Sequence, residues 1–304
     1  MNSTIPPAGA DIACVGETMA LLVPGAESDA AGHPTFTAST GGAESNVAVH
    51  LARRGHRVAW VSAVGDDRFG RLVLGRLAAE GVDVTGVRVD PGRPTGVYLK
   101  EPAVEGRKVT YYRTGSAASG LSQGDLTTVT ARRPKIVHTT GITPVLSATT
   151  RLLVDGLFGP ARPELLSFDV NHRAALHTKP EHTELLLSLA RAADLVFVGD
   201  DEAEVLWGTH SPSEVRSLLA DVPLLVVKQG PIGATAYQGD EEFFVPAHQV
   251  DVVDVVGAGD AFAAGFLHGL TLSADPRTCL RHGHDFTVDV LRVKDDLGPA
   301  PVRS

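Results

Sequence analysis

Cysteine, long apolar runs and basic excess are all scarce in this chain. Cys14 and Cys279 are the two cysteines among 304 residues, with neither disulfide-framework nor metal-ligand spacing, which points to a reducing cytoplasm. Every apolar stretch is broken by Gly, Pro or a charge before it reaches membrane-spanning length, and the first residues lack the basic and long apolar regions of a secretory leader, so no membrane partner is expected. Lys plus Arg number 27 against 36 for Asp plus Glu, a formal net charge of -9. That balance disfavours nonspecific binding to nucleic acid and favours a small-molecule partner. Two common glycine-rich phosphate motifs are missing as well. No Gly-Lys pair occurs for a Walker A loop, and Phe262 stands where a dinucleotide fingerprint needs a small residue.

What is present suits one large α/β core: 43% hydrophobic and 21% charged residues. Short β-rich runs at 12–15, 58–64, 135–138, 165–169, 195–198 and 224–227 alternate with helical stretches, which predicts a mostly parallel sheet covered by helices. Helices are expected over 46–54 and 69–80, with Gly55 and Gly81 as C-caps. In such sheets the ligand site lies beyond the carboxyl ends of the strands. Further short strands at 19–23, 35–38, 96–100 and 108–113 break the alternation and could form a small β lid. Tyr111 and Arg113 are two apart and share a strand face, although an ordinary exposed edge strand accounts for that pair equally well.

Two glycine constellations carry candidate chemistry. Asp254-Val-Val-Gly257-Ala-Gly-Asp260-Ala-Phe262 opens an apolar-periodic helix, with Phe262, Phe266 and Leu270 four apart, so backbone N–H groups near Ala258 and Gly259 offer an anion site with Asp260 at its mouth. A helix cap fits Asp260 as well. Gly41-Gly-Ala-Glu-Ser-Asn46 permits close backbone approach, and the Asn46 amide suits sugar hydroxyls; read alone, it is also a plain helix cap.

Taken with Val64-Gly-x-Asp67-x-x-Gly70 and Lys228-x-Gly230-x-x-Gly233, in this order and spacing, these segments resemble the ribokinase-like (PfkB) carbohydrate kinases. The resemblance implies a three-layer αβα sandwich with a mostly parallel central sheet and a small β-sheet lid: one domain over 1–304, with lid segments at about 17–38 and 93–115. Within that family, Gly16-Glu17, the 95–101 stretch, Tyr111-Tyr-Arg113, Gly141-Ile-Thr-Pro144 and Phe168-Asp-x-Asn-x-Arg173 resemble the 2-keto-3-deoxygluconate kinases. The roles implied are these: Asp260 as catalytic base, Gly257, Ala258 and Gly259 as anion hole, and Gly42 and Asn46 on sugar hydroxyls. Tyr98 and Tyr111 would line the sugar pocket, Arg113 and Arg173 would fork onto a substrate carboxylate, and Lys228, Gly230 and Gly233 would lie by ATP. Mg2+ is implied through ATP, and a monovalent cation such as K+ is compatible with the resemblance. A homo-oligomer through the lid edge is a further expectation.

Two departures stand out. Gly199-Asp-Asp-Glu202 keeps the glutamate of the family's metal-organising Asn-x-x-Glu motif and loses the asparagine, leaving Glu202 to act through water. Near the C-terminus, Asp285 and Asp289 share a helical face where relatives have small apolar residues; facing a nucleotide base they would be costly, so they are expected at the surface. Two other activities stay open: a kinase of fructose, ribose or a nucleoside, against which the Arg113/Arg173 pair speaks, and a sugar-sensing protein without turnover, against which Asp260 and its glycines speak.

Overall fold

The computed structural model describes residues 9–28, 32–101, 108–159, 161–293 and 297–298. Parts of the expected lid segments, 29–31 and 102–107, lie outside the described residues. The strands are β1 (Ile12–Val15), β2 (Met19–Ser28), β3 (Pro34–Gly41), β4 (Val58–Val61), β5 (Ala63–Gly65), β6 (Arg88–Asp90), β7 (Val97–Glu101), β8 (Lys108–Tyr112), β9 (Ile136–Thr140), β10 (Leu165–Asp169), β11 (Leu195–Gly199), β12 (Leu224–Lys228), β13 (Gly233–Gln238) and β14 (Glu241–Pro246). The helices are α1 (Ala43–Arg53), α2 (Arg68–Ala79), α3 (Leu126–Ala131), α4 (Ala148–Phe158), α5 (Pro180–Ala192), α6 (Asp200–Trp207), α7 (Pro212–Leu218), α8 (Ala258–Thr271) and α9 (Pro276–Leu291).

The main sheet runs β14-β13-β12-β11-β10-β9-β1-β4, parallel from β4 through β12 and closed at one edge by the antiparallel pair β13 and β14. Its central strands are apolar on both faces, and alternate residues serve different layers. Ile12, Cys14, Phe197 and Val226 pack with α1, α2, α8 and α9, whereas Ala13, Val15, Val196 and Val227 belong to cores under α3, α4, α5 and α7. Two apolar interfaces with one sheet between them make three layers. Gly55 and Gly81, both with φ of +88°, follow α1 and α2 as expected of helix C-caps.

A second sheet, ordered β3-β2-β7-β8, pairs β2 with β3 and β7 with β8 antiparallel and joins β2 to β7 in parallel. The run predicted at 58–64 divides at Ser62: β4 stays in the main sheet while β5 pairs with β6. Cys14 and Cys279 are buried as unpaired thiols, and no helix among the described residues is long and apolar enough to cross a membrane.

Candidate active site

Gly257 adopts the left-handed region, φ +81°, which side-chain-bearing residues reach only at a cost. That turn lets α8 begin at Ala258 and sets Asp260 in its first turn, where the carboxylate suits the helix dipole. Asn46 enters from α1, and its Nδ2 donates to Asp260 Oδ2 at 2.8 Å inside the protein. α1 can start where it does because Gly42 carries no side chain; a Cβ there would stand 2.3 Å from the Glu17 carbonyl oxygen. Burial pushes the Asp260 carboxyl up to about 7, opposed by the Asn46 hydrogen bond and the Arg173 charge. A carboxyl poised there is matched to taking a proton at neutral pH.

Beside Asp260 lies a second set of charges. Lys228 Nζ donates to Asp169 Oδ2 at 2.8 Å. Burial opposes charge on Lys228, yet Asp169 and Glu202 together hold its pKa above the ordinary lysine value. Glu202 is pushed upward by burial; its Oε2 accepts from the Gly199 N–H at 2.7 Å and its Oε1 from the His172 N–H at 2.8 Å. Each oxygen retains another lone pair for water. Of the three predicted anion-hole amides, that of Ala258 donates to the Val255 carbonyl at 3.2 Å, while Gly259 occupies a helix position whose N–H has no intrahelical acceptor.

The opposite end of the site is aromatic and cationic. Tyr98 stacks on Tyr111 with ring centroids 5.8 Å apart, and the Arg113 guanidinium lies 5.8 Å from the Tyr111 ring centre. Arg113 Nε donates to Glu17 Oε2 at 2.7 Å, and Ser116 Oγ donates to Glu17 Oε1 at 2.5 Å, so the buried Glu17 carboxylate is fully paired. A guanidinium has five N–H donors, and those not turned to Glu17 can serve a ligand. Glu44 is buried too; its Oε1 accepts from Thr140 and Thr143 hydroxyls at 2.8 and 2.7 Å, and burial raises its carboxyl pKa. Arg173 is exposed at the mouth.

These groups share one cavity of about 930 Å³. Asp260, Gly257, Ala258, Gly259, Gly42, Asn46, Tyr98, Tyr111, Arg113, Arg173, Lys228, Gly230, Gly233 and Glu202 all line it. From α9, His284, Thr287, Val288 and Leu291 face the cavity, whereas Asp285 is exposed and accepts from His248 at 2.8 Å if that imidazole carries its Nε2 proton. Neither Asp285 nor Asp289, which is half-buried rather than at the surface, lines the cavity. Among the lining residues without a predicted role are Glu17, Glu44 and Asn171. Asn171 has φ +43° and a buried Oδ1 without a partner among the described residues, a combination that marks a ligand-facing side chain. Its place just past the carboxyl end of β10 was the available signal. No group of three or more His, Cys, Asp or Glu side chains among the described residues could hold a metal ion.

Comparison with known proteins identifies the family. Residues 10–294 match the pfkB family carbohydrate kinase model. The 2-dehydro-3-deoxygluconokinase of Bacillus subtilis is 34% identical over 303 residues, 96% of this chain and 93% of its own. Fructokinase-1 of Oryza sativa is 34% identical across 77% of this chain and 74% of its own. Among solved structures, a PfkB protein from Polaromonas sp. superposes with a TM-score of 0.84 at 32% identity, covering 93% of this chain and 96% of that one. With its glycine turn, buried aspartate and three-layer sheet accounted for, the chain belongs to the pfkB family of carbohydrate kinases.

Proposed function

We propose that this protein phosphorylates 2-keto-3-deoxygluconate (2-dehydro-3-deoxygluconate), or a close sugar acid, at its C6 hydroxyl with ATP. The observation that carries the reading is one cavity holding Asp260, tuned to about 7, together with two arginines and a stacked tyrosine pair. Asp260 takes the proton from the acceptor hydroxyl as its oxygen bonds to the γ-phosphorus and the bond to the β-phosphate oxygen breaks, releasing ADP. Gly257 and Gly259 line the side of the cavity where the group transfers, and the Gly259 N–H, without an intrahelical acceptor, is a donor preorganised toward developing charge, whereas the Ala258 amide predicted beside it is given to the Val255 carbonyl. Lys228, Gly230 and Gly233 border the nucleotide end, with Asn171 Oδ1 and Glu202 close to the phosphates.

Mg2+ entering with ATP would supply charge neutralisation at the phosphates, with Glu202 placed to reach it through water. The site fits such an ion, since each Glu202 oxygen accepts one backbone N–H and keeps a lone pair for its water shell. K+ fits the same class of reaction; a fructokinase from Vibrio cholerae, 25% identical, was crystallised with fructose, ADP and potassium. Tyr98 and Tyr111 flank the sugar, Gly42 and Asn46 hold its hydroxyls, and Arg113 with Arg173 takes the carboxylate. The 19–41 and 97–112 strands then form the lid of a single kinase domain, whose outer edge β3 offers a surface for a second copy. Buried reduced cysteines fit a cytoplasmic setting.

Similarity to fructokinases supports a second reading, with a neutral hexose as acceptor. Against it, a neutral sugar offers no anion to the exposed Arg173 or to the Arg113 donors not turned to Glu17. ATP consumption measured in parallel with 2-keto-3-deoxygluconate, fructose, ribose and adenosine separates these readings. The acid is expected to turn over with the highest kcat/KM; sugar binding without turnover of any acceptor overturns the kinase assignment.

A further inference from the structure

The loop that carries Arg173 is held by three consecutive backbone amides, each given to a different side chain. Asn171 N–H donates to Asp169 Oδ1 at 3.0 Å, His172 N–H to Glu202 Oε1 at 2.8 Å, and Arg173 N–H to His177 Nδ1 at 2.9 Å. Such clamping is needed because Asn171 sits at φ +43°, a conformation that costs a non-glycine residue free energy and persists only when its surroundings enforce it. Asp169 and Glu202 belong to the charge cluster around Lys228. His177 belongs to nothing the phosphoryl transfer requires, yet it holds the amide nearest the guanidinium.

Its second nitrogen shows what the ring is fastened to. His177 Nε2 lies 3.0 Å from the Gly141 carbonyl, at the exit of β9. Gly141 is itself immobilised: its N–H donates to the Asp169 carbonyl at 2.9 Å, and a Cβ there would stand 2.3 Å from the Val170 oxygen and 2.4 Å from Leu186. The Arg173 carbonyl also lies 3.1 Å from Nδ1, but it already accepts the Leu176 and His177 amides at 2.8 and 2.9 Å, filling both lone pairs. Nδ1 is therefore the acceptor and Nε2–H the donor, which is the neutral imidazole. Burial holds the ring's pKa below the ordinary value, and His172 and His182, with ring centroids 5.2 and 6.0 Å away, add to that when charged.

We propose that His177 is a positioning residue for Arg173, tying its backbone to the fixed end of β9 and so setting where the guanidinium meets the substrate. The inference rests on the reading that Arg173 binds the carboxylate of a sugar acid. Loss of one hydrogen bond at the anchor should show as a KM effect on the acid alone, about five- to tenfold. The test compares His177→Phe, Arg173→Ala and the double variant in steady-state kinetics with 2-keto-3-deoxygluconate and ATP. His177→Phe is expected to raise KM for the acid while leaving KM for ATP within about twofold, and to add nothing in the Arg173→Ala background. His177→Asn, whose amide oxygen stands near the place of Nδ1, should recover much of the loss. An unchanged KM for the acid, equal rises in both KM values, or a full rise persisting in the Arg173→Ala background overturns the proposal. If the Phe variant does not fold, His177→Gln, which keeps a donor but displaces the acceptor, reads the same comparison. Imidazole ¹⁵N NMR of the parental protein gives a readout independent of substrate: a ring protonated at Nε2 alone is expected at pH 7, and an Nδ1-protonated ring refutes the anchor whatever the protein phosphorylates.

Discussion

Replacing Asn46 with Leu keeps side-chain volume and removes the donor that faces Asp260. In the parental protein burial drives the Asp260 carboxyl up to about 7, and the 2.8 Å hydrogen bond from Asn46 is the first influence restraining that rise. A hydrogen bond to a charged group is worth about 1.5–3 kcal/mol. At about 1.4 kcal/mol per pKa unit, its loss raises the carboxyl by about one to two units. A base works when ionised, so activity falls as pH drops through the pKa, and the acid limb of kcat/KM should move from about 7 to higher pH by that amount. Asn46 also lines the cavity, and a lost substrate contact would lower the whole profile. The two effects separate in one assay, kcat/KM against pH from about 5.5 to 9.5, because a binding loss changes height and a pKa change moves the limb. A limb that stays put, or moves to lower pH, refutes the pairing as the control on Asp260.

Asp260→Asn should lower kcat by about 10²–10⁴ while equilibrium binding of the acid persists; parental turnover would remove Asp260 from the role of base. Arg113→Ala leaves the buried Glu17 carboxylate without its cation, so a stability loss of about 3–5 kcal/mol in denaturant unfolding should accompany a raised KM for the acid, and adding Glu17→Gln should restore much of the stability. His50 is buried and its pKa is pushed down to about 3, chiefly by burial. Below about 6.5 the unfolded chain takes up a proton that the folded protein refuses, so stability falls as pH falls; at pH 5 the term is about 2 kcal/mol. His50→Leu should remove that slope between pH 7 and 5, and parallel slopes for variant and parent would count against it.

Strands buried on both faces were plain in the sequence where they are short unbroken apolar runs, as in 195–198 and 224–227. The glycine turn at Gly257 was plain because its geometry requires that residue. The edge hairpin of β13 and β14 was hidden by its surroundings: β14 is largely exposed and opens with two glutamates, which mask strand patterning. Glu17 and Glu44 were illegible for another reason. A buried carboxylate is defined by its partners, and those stand 96 residues along the chain at Arg113 and Thr140, a separation no local pattern spans. His177 likewise acquires meaning only when Gly141 and Arg173 meet around it.

The Glu17 carboxylate stands where the two sheets are joined. It lies on the passage from β1 to β2; the passage from β3 to α1 packs Gly42 against its carbonyl; that into β7 brings Gly96 beside its Oε1; and that out of β8 supplies Arg113 and Ser116. All four crossings thus meet at one residue, three of them at its carboxylate and one at its backbone carbonyl. A substrate carboxylate bound at Arg113 would therefore share its guanidinium with the ion pair that stands at the junction of the two sheets.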